Sequence, residues 1–144
     1  MKVYVLVDNN DGAGLKGEWG LSFYIEYADK TVLLDAGLSP LFAENAEKMG
    51  LDLNRVDLAV LSHAHDDHAN GLDRFFELND HAKLYVAKGC DENCYDRYGL
   101  RFKYAGVPRG IMTRHADRII KADPDMKIAD GIRLLAHSTP GLEK

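Results

Sequence analysis

Apolar and polar positions alternate in the manner of strands over the first 35 residues. Residues 2–8 (KVYVLVD) are a β-rich run, residues 9–17 (NNDGAGLKG) a Gly/Asn/Asp loop, and residues 20–27 (GLSFYIEY) a second run whose aromatics favour a strand. Ala28-Asp29-Lys30 is a tight turn into a third run at residues 31–35. Three sequence-adjacent strands joined in this way predict an antiparallel meander. After Gly37 the period changes. Ser39 suits an N-cap, Pro40 suits the first helical position, and Leu41, Phe42, Asn45, Ala46 and Met49 recur at helical spacing until Gly50. A helix is therefore predicted over residues 40–49. Residues 56–61 (VDLAVL) form a short, nearly unbroken apolar run, the pattern of a strand covered on both faces, and it ends in Ser62-His63. Residues 71–78 (GLDRFFEL) predict a helix, residues 83–87 a strand and residues 132–136 a late strand. Residues 88–130 carry Cys, Tyr, Arg and Gly without a clear period and are expected to be loop and short helix. No repeat or linker interrupts residues 1–144, so the expectation is one α/β (α+β) domain, a mixed sheet with outer helices.

The composition fits that picture. A chain of 144 residues and 16.1 kDa with 46% hydrophobic residues buries roughly two-thirds of its unfolded surface. The apolar runs fall far short of the roughly 20 residues of a membrane span. The N-terminus carries no secretory signal pattern, so the expected location is cytoplasmic. Eighteen Lys and Arg against 23 Asp and Glu give a net charge of −5, which argues against a broad nucleic-acid-binding face. Cys90 and Cys94 stand four apart and could share a helical face. They are either a metal or redox pair or two reduced thiols of a cytosolic protein; no second Cys/His pair with zinc-finger spacing accompanies them, which favours the thiols.

Chemistry concentrates in one place. Three of the six histidines fall within six positions, in Ser62-His63-Ala64-His65-Asp66-Asp67-His68. At the end of a strand the backbone is extended, so residues i and i+2 point to one side and His63 and His65 can face one cation. Asp67 and His68 come after a turn, point elsewhere and suit a second cation nearby. Imidazole and carboxylate donors together favour zinc, iron or manganese without choosing among them.

The pattern His63, His65, Asp67, His68 resembles the H-x-H-x-D-H signature of the metallo-β-lactamase superfamily. Within it, residues 61–72 (LSHAHDDHANGL), 98–108 (YGLRFKYAGVP) and 128–135 resemble the dihydropterin synthase-like branch. The resemblance implies an αβ/βα sandwich of two related halves, of which this chain is the N-terminal part. It implies two divalent metal ions, zinc first, and a metal-dependent hydrolase that uses a metal-bound hydroxide on a small-molecule substrate. In that reading His63, His65, Asp67 and His68 bind metal, and Asp67 also acts catalytically by holding the hydroxide's proton. Asp35, in VLLDAG, stands where the family places a strand-end Asp that supports the metal loop; a turn-capping Asp before Gly37 is the alternative. The family completes its site with a third His, a bridging Asp and a last His. The bridging Asp and last His have no counterpart here, and Leu142 occupies the position of a family His. His137 is expected to be a surface or structural residue, and His81 and His115 surface residues. Arg101, Lys103 and Tyr104 are anion-binding candidates if the substrate bears phosphate, and a solvated basic turn explains them equally. A truncated or non-catalytic metal-binding fragment is the alternative function, and a nuclease is disfavoured by the acidic balance. If the chain is only 144 residues long, faces that the family's second half would cover are bare, and a homo-oligomer is expected.

Overall fold

The computed structural model describes residues 1–90 and 94–135. Strands β1 (Lys2–Val7), β2 (Ser22–Tyr27) and β3 (Lys30–Leu34) form the expected antiparallel meander. Helix α1 (Leu41–Lys48), strand β4 (Leu58–Val60), the one-turn helix α2 (Asp66–Ala69), helix α3 (Leu72–Leu78) and strand β5 (Lys83–Ala87) follow in alternation. Then come β6 (Tyr95–Tyr98), β7 (Arg101–Tyr104), α4 (Ile111–Arg114), β8 (Ile119–Ala122), β9 (Lys127–Ala129) and β10 (Ile132–Arg133). Six strands make one mixed sheet in the order β1-β2-β3-β4-β5-β8, with β3, β4, β5 and β8 parallel. The architecture is the mixed α/β one that the sequence predicts.

Several boundaries move for identifiable reasons. Pro40 is the N-cap of α1, one residue later than expected, while the Ser39 hydroxyl accepts from the Leu41 amide at 3.1 Å and donates to Glu18 at 2.6 Å. The run at residues 56–61 shrinks to Leu58–Val60 because Val56 closes a 3-10 turn, Leu53–Arg55, and is buried there. Residues 88–130 hold more strand than expected. β6 and β7 pair as a separate hairpin, and β8 joins the main sheet beside β5. Lys121 interrupts the alternation of β8, so a half-covered edge strand leaves little trace in the sequence. The late strand is only Ile132–Arg133 and pairs with β9 outside the main sheet. Ala136 and His137 lie outside the described residues.

Residues opposite one another across a ladder share a face, and the register sorts the sheet into two apolar rows. Tyr4, Tyr24, Leu33, Ala59, Leu84 and Ile119 run across one face. That row belongs to the core cluster, with Phe42 and Ala46 of α1 and Leu72, Phe75 and Phe76 of α3 packed into it. Val5, Phe23, Leu34, Val60, Tyr85 and Ile120 run across the other. There Leu134 and Leu135 border a cavity of about 530 Å3 with Val60, Leu61 and Tyr85. Toward the β1 edge Val3 and Val5 are 49% and 41% exposed.

Candidate functional site

Parallel strands deliver their C-terminal ends to one side of a sheet, which is where open α/β sheets bind ligands. β3 and β4 end side by side, and the chain leaving β4 runs through Leu61 into Ser62 to His68. The chain leaving β3 is Asp35, whose amide donates to Val60 O at 2.9 Å. Asp35 is 2% exposed and holds φ at 60°, a left-handed conformation that Asp tolerates better than most residues at a cost of about 1–2 kcal/mol.

Both oxygens of the Asp35 carboxylate are engaged. Oδ1 accepts from the Ser62 amide at 2.7 Å, and Oδ2 accepts from the Ser62 hydroxyl at 2.7 Å and from His68 Nδ1 at 2.7 Å. A carboxylate only accepts here, so His68 Nδ1 carries a hydrogen, and the tautomer this selects for the uncharged ring has its lone pair on Nε2. The same constraint reaches His63 through the hydroxyl. Ser62 has one hydrogen and gives it to Asp35, so its oxygen accepts from His63 Nδ1 at 2.9 Å. His63 is thereby also left with its lone pair on Nε2. One buried carboxylate sets the tautomers of two imidazoles.

The rings gather closely. His63 Nε2 lies 3.1 Å from His65 Nδ1, and the His63 and His68 ring centroids are 4.2 Å apart. Asp67 Oδ2 is 3.7 Å from His68 Nε2. The i and i+2 histidines do meet, although β4 ends at Val60 and residues 62–64 form a bend rather than the extended strand end that the sequence suggests. His68, expected to point elsewhere with Asp67, packs against His63 instead, its ring tilted by 57°, because α2 starts at Asp66 and winds the chain back toward β3. Partial desolvation first, then the neighbouring His68 and His65, lowers the His63 imidazole and favours its neutral form. Among the described residues, no three His, Cys, Asp or Glu side chains converge on one point as a closed metal site requires. The donor types on this loop still fit a divalent cation: Nε2 of two braced imidazoles, a third imidazole and a carboxylate.

Three other segments clamp the loop. Ala36 N donates to His68 O at 2.8 Å and Gly71 N to Gly37 O at 3.2 Å. A Cβ on Gly71 would sit 2.0 Å from Ala36 O, so Gly71 is there for close approach as well as for the turn. The β1–β2 loop presses Gly20 onto the Asp67 backbone, where a Cβ would lie 2.0 Å from Asp67 O. That loop is fixed by Asn45 Nδ2, which donates to Leu6 O and Lys16 O at 2.8 Å each, and by Glu18, which accepts from the Leu38 and Ser39 amides at 3.0 Å each. Ala105, at the root of the β6–β7 hairpin, accepts from the Asp66 amide at 2.9 Å. Ser62, Gly20, Glu18 and Ala105 escape motif reading, because their roles depend on contacts across the fold.

Other candidates fall elsewhere. No disulfide joins Cys90 and Cys94. Burial, then Asp96 and Asp66, pushes the Cys94 thiol up, away from the thiolate that metal binding needs. His81 is exposed as expected. His115 departs from its surface expectation: it is half-buried and stacked on Phe76 at 4.0 Å, in a structural role beside the buried Arg118. Arg101 and Lys103 lie exposed on β7, and Tyr104 points its hydroxyl to Val107 O at 2.7 Å.

The sequence profile of the metallo-β-lactamase superfamily matches residues 19–141, a span that contains the Asp35 brace and the whole histidine loop. The chain belongs to the metallo-β-lactamase superfamily. It is 32% identical over 127 residues to an uncharacterized protein of Methanocaldococcus jannaschii, covering 85% of this chain and 48% of that protein. Its fold is similar to that of Tm1679, a metal-dependent hydrolase of the β-lactamase superfamily, with 27% identity and a TM-score of 0.62 over 88% of this chain and 44% of the other. The Rm3 metallo-β-lactamase shares the fold at 22% identity and a TM-score of 0.61, over 96% of this chain and 49% of the other. The chain thus spans about half the length of the relatives it matches. A superfamily that typically binds divalent metals supplies the fold, and that fold is of the metal-dependent hydrolase type. No helix among the described residues is long and apolar enough to cross a membrane.

Proposed function

We propose that this chain is the N-terminal part of a metallo-β-lactamase-fold hydrolase acting on a small-molecule substrate. In this reading His63, His65, Asp67 and His68 hold two divalent cations, zinc first, and Asp35 orients their ligands. The observation that carries it is the Asp35 carboxylate fixing Nε2 lone pairs on His68 directly and on His63 through Ser62, all at 2.7–2.9 Å. Metal-ligating histidines are held in this way by carboxylates behind them. When bound, the cations supply Lewis-acid polarisation of a carbonyl or phosphoryl oxygen and an acidified water. Asp67, whose Oδ2 lies 3.7 Å from His68 Nε2, is the carboxylate that would hold a proton of the acidified water. The clamps from Gly20, Ala36 and Ala105 keep these donors in place, as a metal site requires.

Asp35→Ala tests the brace. Zinc affinity by isothermal titration falls about 10- to 100-fold, and unfolding stability falls by about 2 kcal/mol as charge-assisted hydrogen bonds are lost. An unchanged dissociation constant and melting temperature would reduce Asp35 to a turn residue. The second reading, a metal-binding chain without turnover, is favoured by the lack of three converging donors among the described residues. Assay of the zinc-loaded chain with p-nitrophenyl esters and phosphodiesters separates the two. Turnover that Asp67→Asn removes at full metal loading supports the hydrolase, and metal binding without any turnover selects the second reading.

The bare apolar row at the β1 edge supports self-association of the 144-residue chain. Light scattering after size exclusion is expected to give a dimer, and a single folded 16.1 kDa species would overturn it.

A further inference from the structure

Residues 95–114 reverse the sign of the chain. They carry Arg97, Arg101, Lys103, Arg109 and Arg114 against the single carboxylate of Asp96, in a chain of net charge −5. Arg114 pairs with Asp73. Among the described residues, no carboxylate forms an ion pair with the other four cations. Arg97 Nε donates to Gly99 O at 3.0 Å, and Arg109 lies over the Tyr104 ring at 4.3 Å with a 3.5 Å hydrogen bond to the Tyr95 hydroxyl.

The register of the β6–β7 hairpin pairs Tyr95 with Tyr104 and Arg97 with Phe102. Pairs two residues apart share a face, so these four side chains, with Arg109 laid on Tyr104, make one aromatic and guanidinium surface. Tyr95 is 47% and Phe102 69% exposed. These rings add little to the core. The hairpin is also rooted in the candidate site: Ala105 N donates to Cys94 O at 3.1 Å, and Ala105 O accepts from the Asp66 amide at 2.9 Å. The Tyr95–Tyr104 pair is one residue from that root, and the Arg97–Phe102 pair is two residues, about 7 Å, farther out.

We propose that this hairpin is a substrate-binding arm for a molecule that joins a flat aromatic ring to an anionic group, as a mononucleotide does. Phe102 and Tyr95 stack on the ring, and Arg97 and Arg109 pair with the anion. That the bound molecule is the substrate rests on the hydrolase reading, whereas the binding itself does not. One ring is what the surface holds: four-residue strands are about 13 Å long, and a chain of net charge −5 repels an extended polyanion.

The test is titration of the 144-residue chain, without metal, with guanosine monophosphate, guanosine and ribose 5-phosphate. The nucleotide binds at least tenfold tighter than either half. Arg97→Gln with Arg109→Gln weakens the nucleotide at least tenfold and leaves guanosine unchanged; Phe102→Ala weakens both ring-bearing probes about 5- to 50-fold, the range of base stacking. Both variants alter exposed positions, and an unchanged circular dichroism spectrum verifies their fold. Equal affinity for the three probes, indifference to these substitutions, or a single-stranded oligonucleotide that the mononucleotide does not displace would each overturn the arm. Replacing His63 and His65 separates the two readings. If metal content survives that change while the arm variants lose the nucleotide, the metal centre falls and the arm stands; if metal is lost while the arm variants bind normally, the arm falls and the centre stands.

Discussion

Replacing His63 and His65 together by alanine is expected to remove most of the divalent metal that co-purifies with the chain. The two rings meet at 3.1 Å, and His63 is the imidazole whose Nε2 lone pair the Ser62–Asp35 chain secures. Without them, Asp67 and His68 remain as one carboxylate and one imidazole, too few donors for the four-coordinate arrangement that zinc prefers. Elemental analysis of wild type and double variant after identical purification reads the result directly. The fold should survive, because both side chains are exposed and lie outside the core cluster. Equal metal in both proteins would mean that the cation sits elsewhere.

The second large effect is steric. Gly20→Ala places a methyl group 2.0 Å from Asp67 O, with Gly20 at φ 131°, a conformation essentially reserved for glycine. The neighbour is backbone and cannot swing aside. Either the β1–β2 loop or the Asp67 peptide must move, and the cost from strain and overpacking is on the order of 3 kcal/mol. Denaturant unfolding is expected to show that loss together with weakened zinc binding, since the loop displaced is the one that carries the proposed ligands. A matched substitution, Gly12→Ala, meets no atom within 4 Å and should leave both measurements nearly unchanged. If the two variants behave alike, Gly20 does not clamp the site.

Much of the fold was legible because its early elements obey strong local rules. The meander announces itself by alternation over β1, β2 and β3, and α1 by its 3.6-residue spacing and a Pro at its start. The histidine loop was legible because four donor residues sit within six positions, so local chain geometry alone gathers them. Beyond β5 the local rules weaken. β8 is an edge strand with Lys121 in its middle, and the β6–β7 hairpin leaves most of its side chains in solvent, so neither imprints the apolar period of a core-facing element. The expectation that His115 is a surface residue missed its stacking on Phe76 because the partner lies 39 positions earlier.

By itself, the sequence determined where the candidate donor residues cluster and that a strand leads into them. It also placed Asp35 beside the loop by family resemblance while leaving a turn cap as the alternative. Only the tertiary structure decided what Asp35 does. Its carboxylate reaches Ser62 and His68, 27 and 33 positions away, because β3 and β4 pair in parallel and end together. The tautomers of His63 and His68, the pressure of Gly20 on Asp67 and the attachment of the hairpin at Ala105 are likewise long-range facts. The physical reason is common to all of them: hydrogen bonds and close contacts depend on angstrom-scale distances between segments remote in the chain, and those distances are set by sheet register and core packing rather than by local spacing.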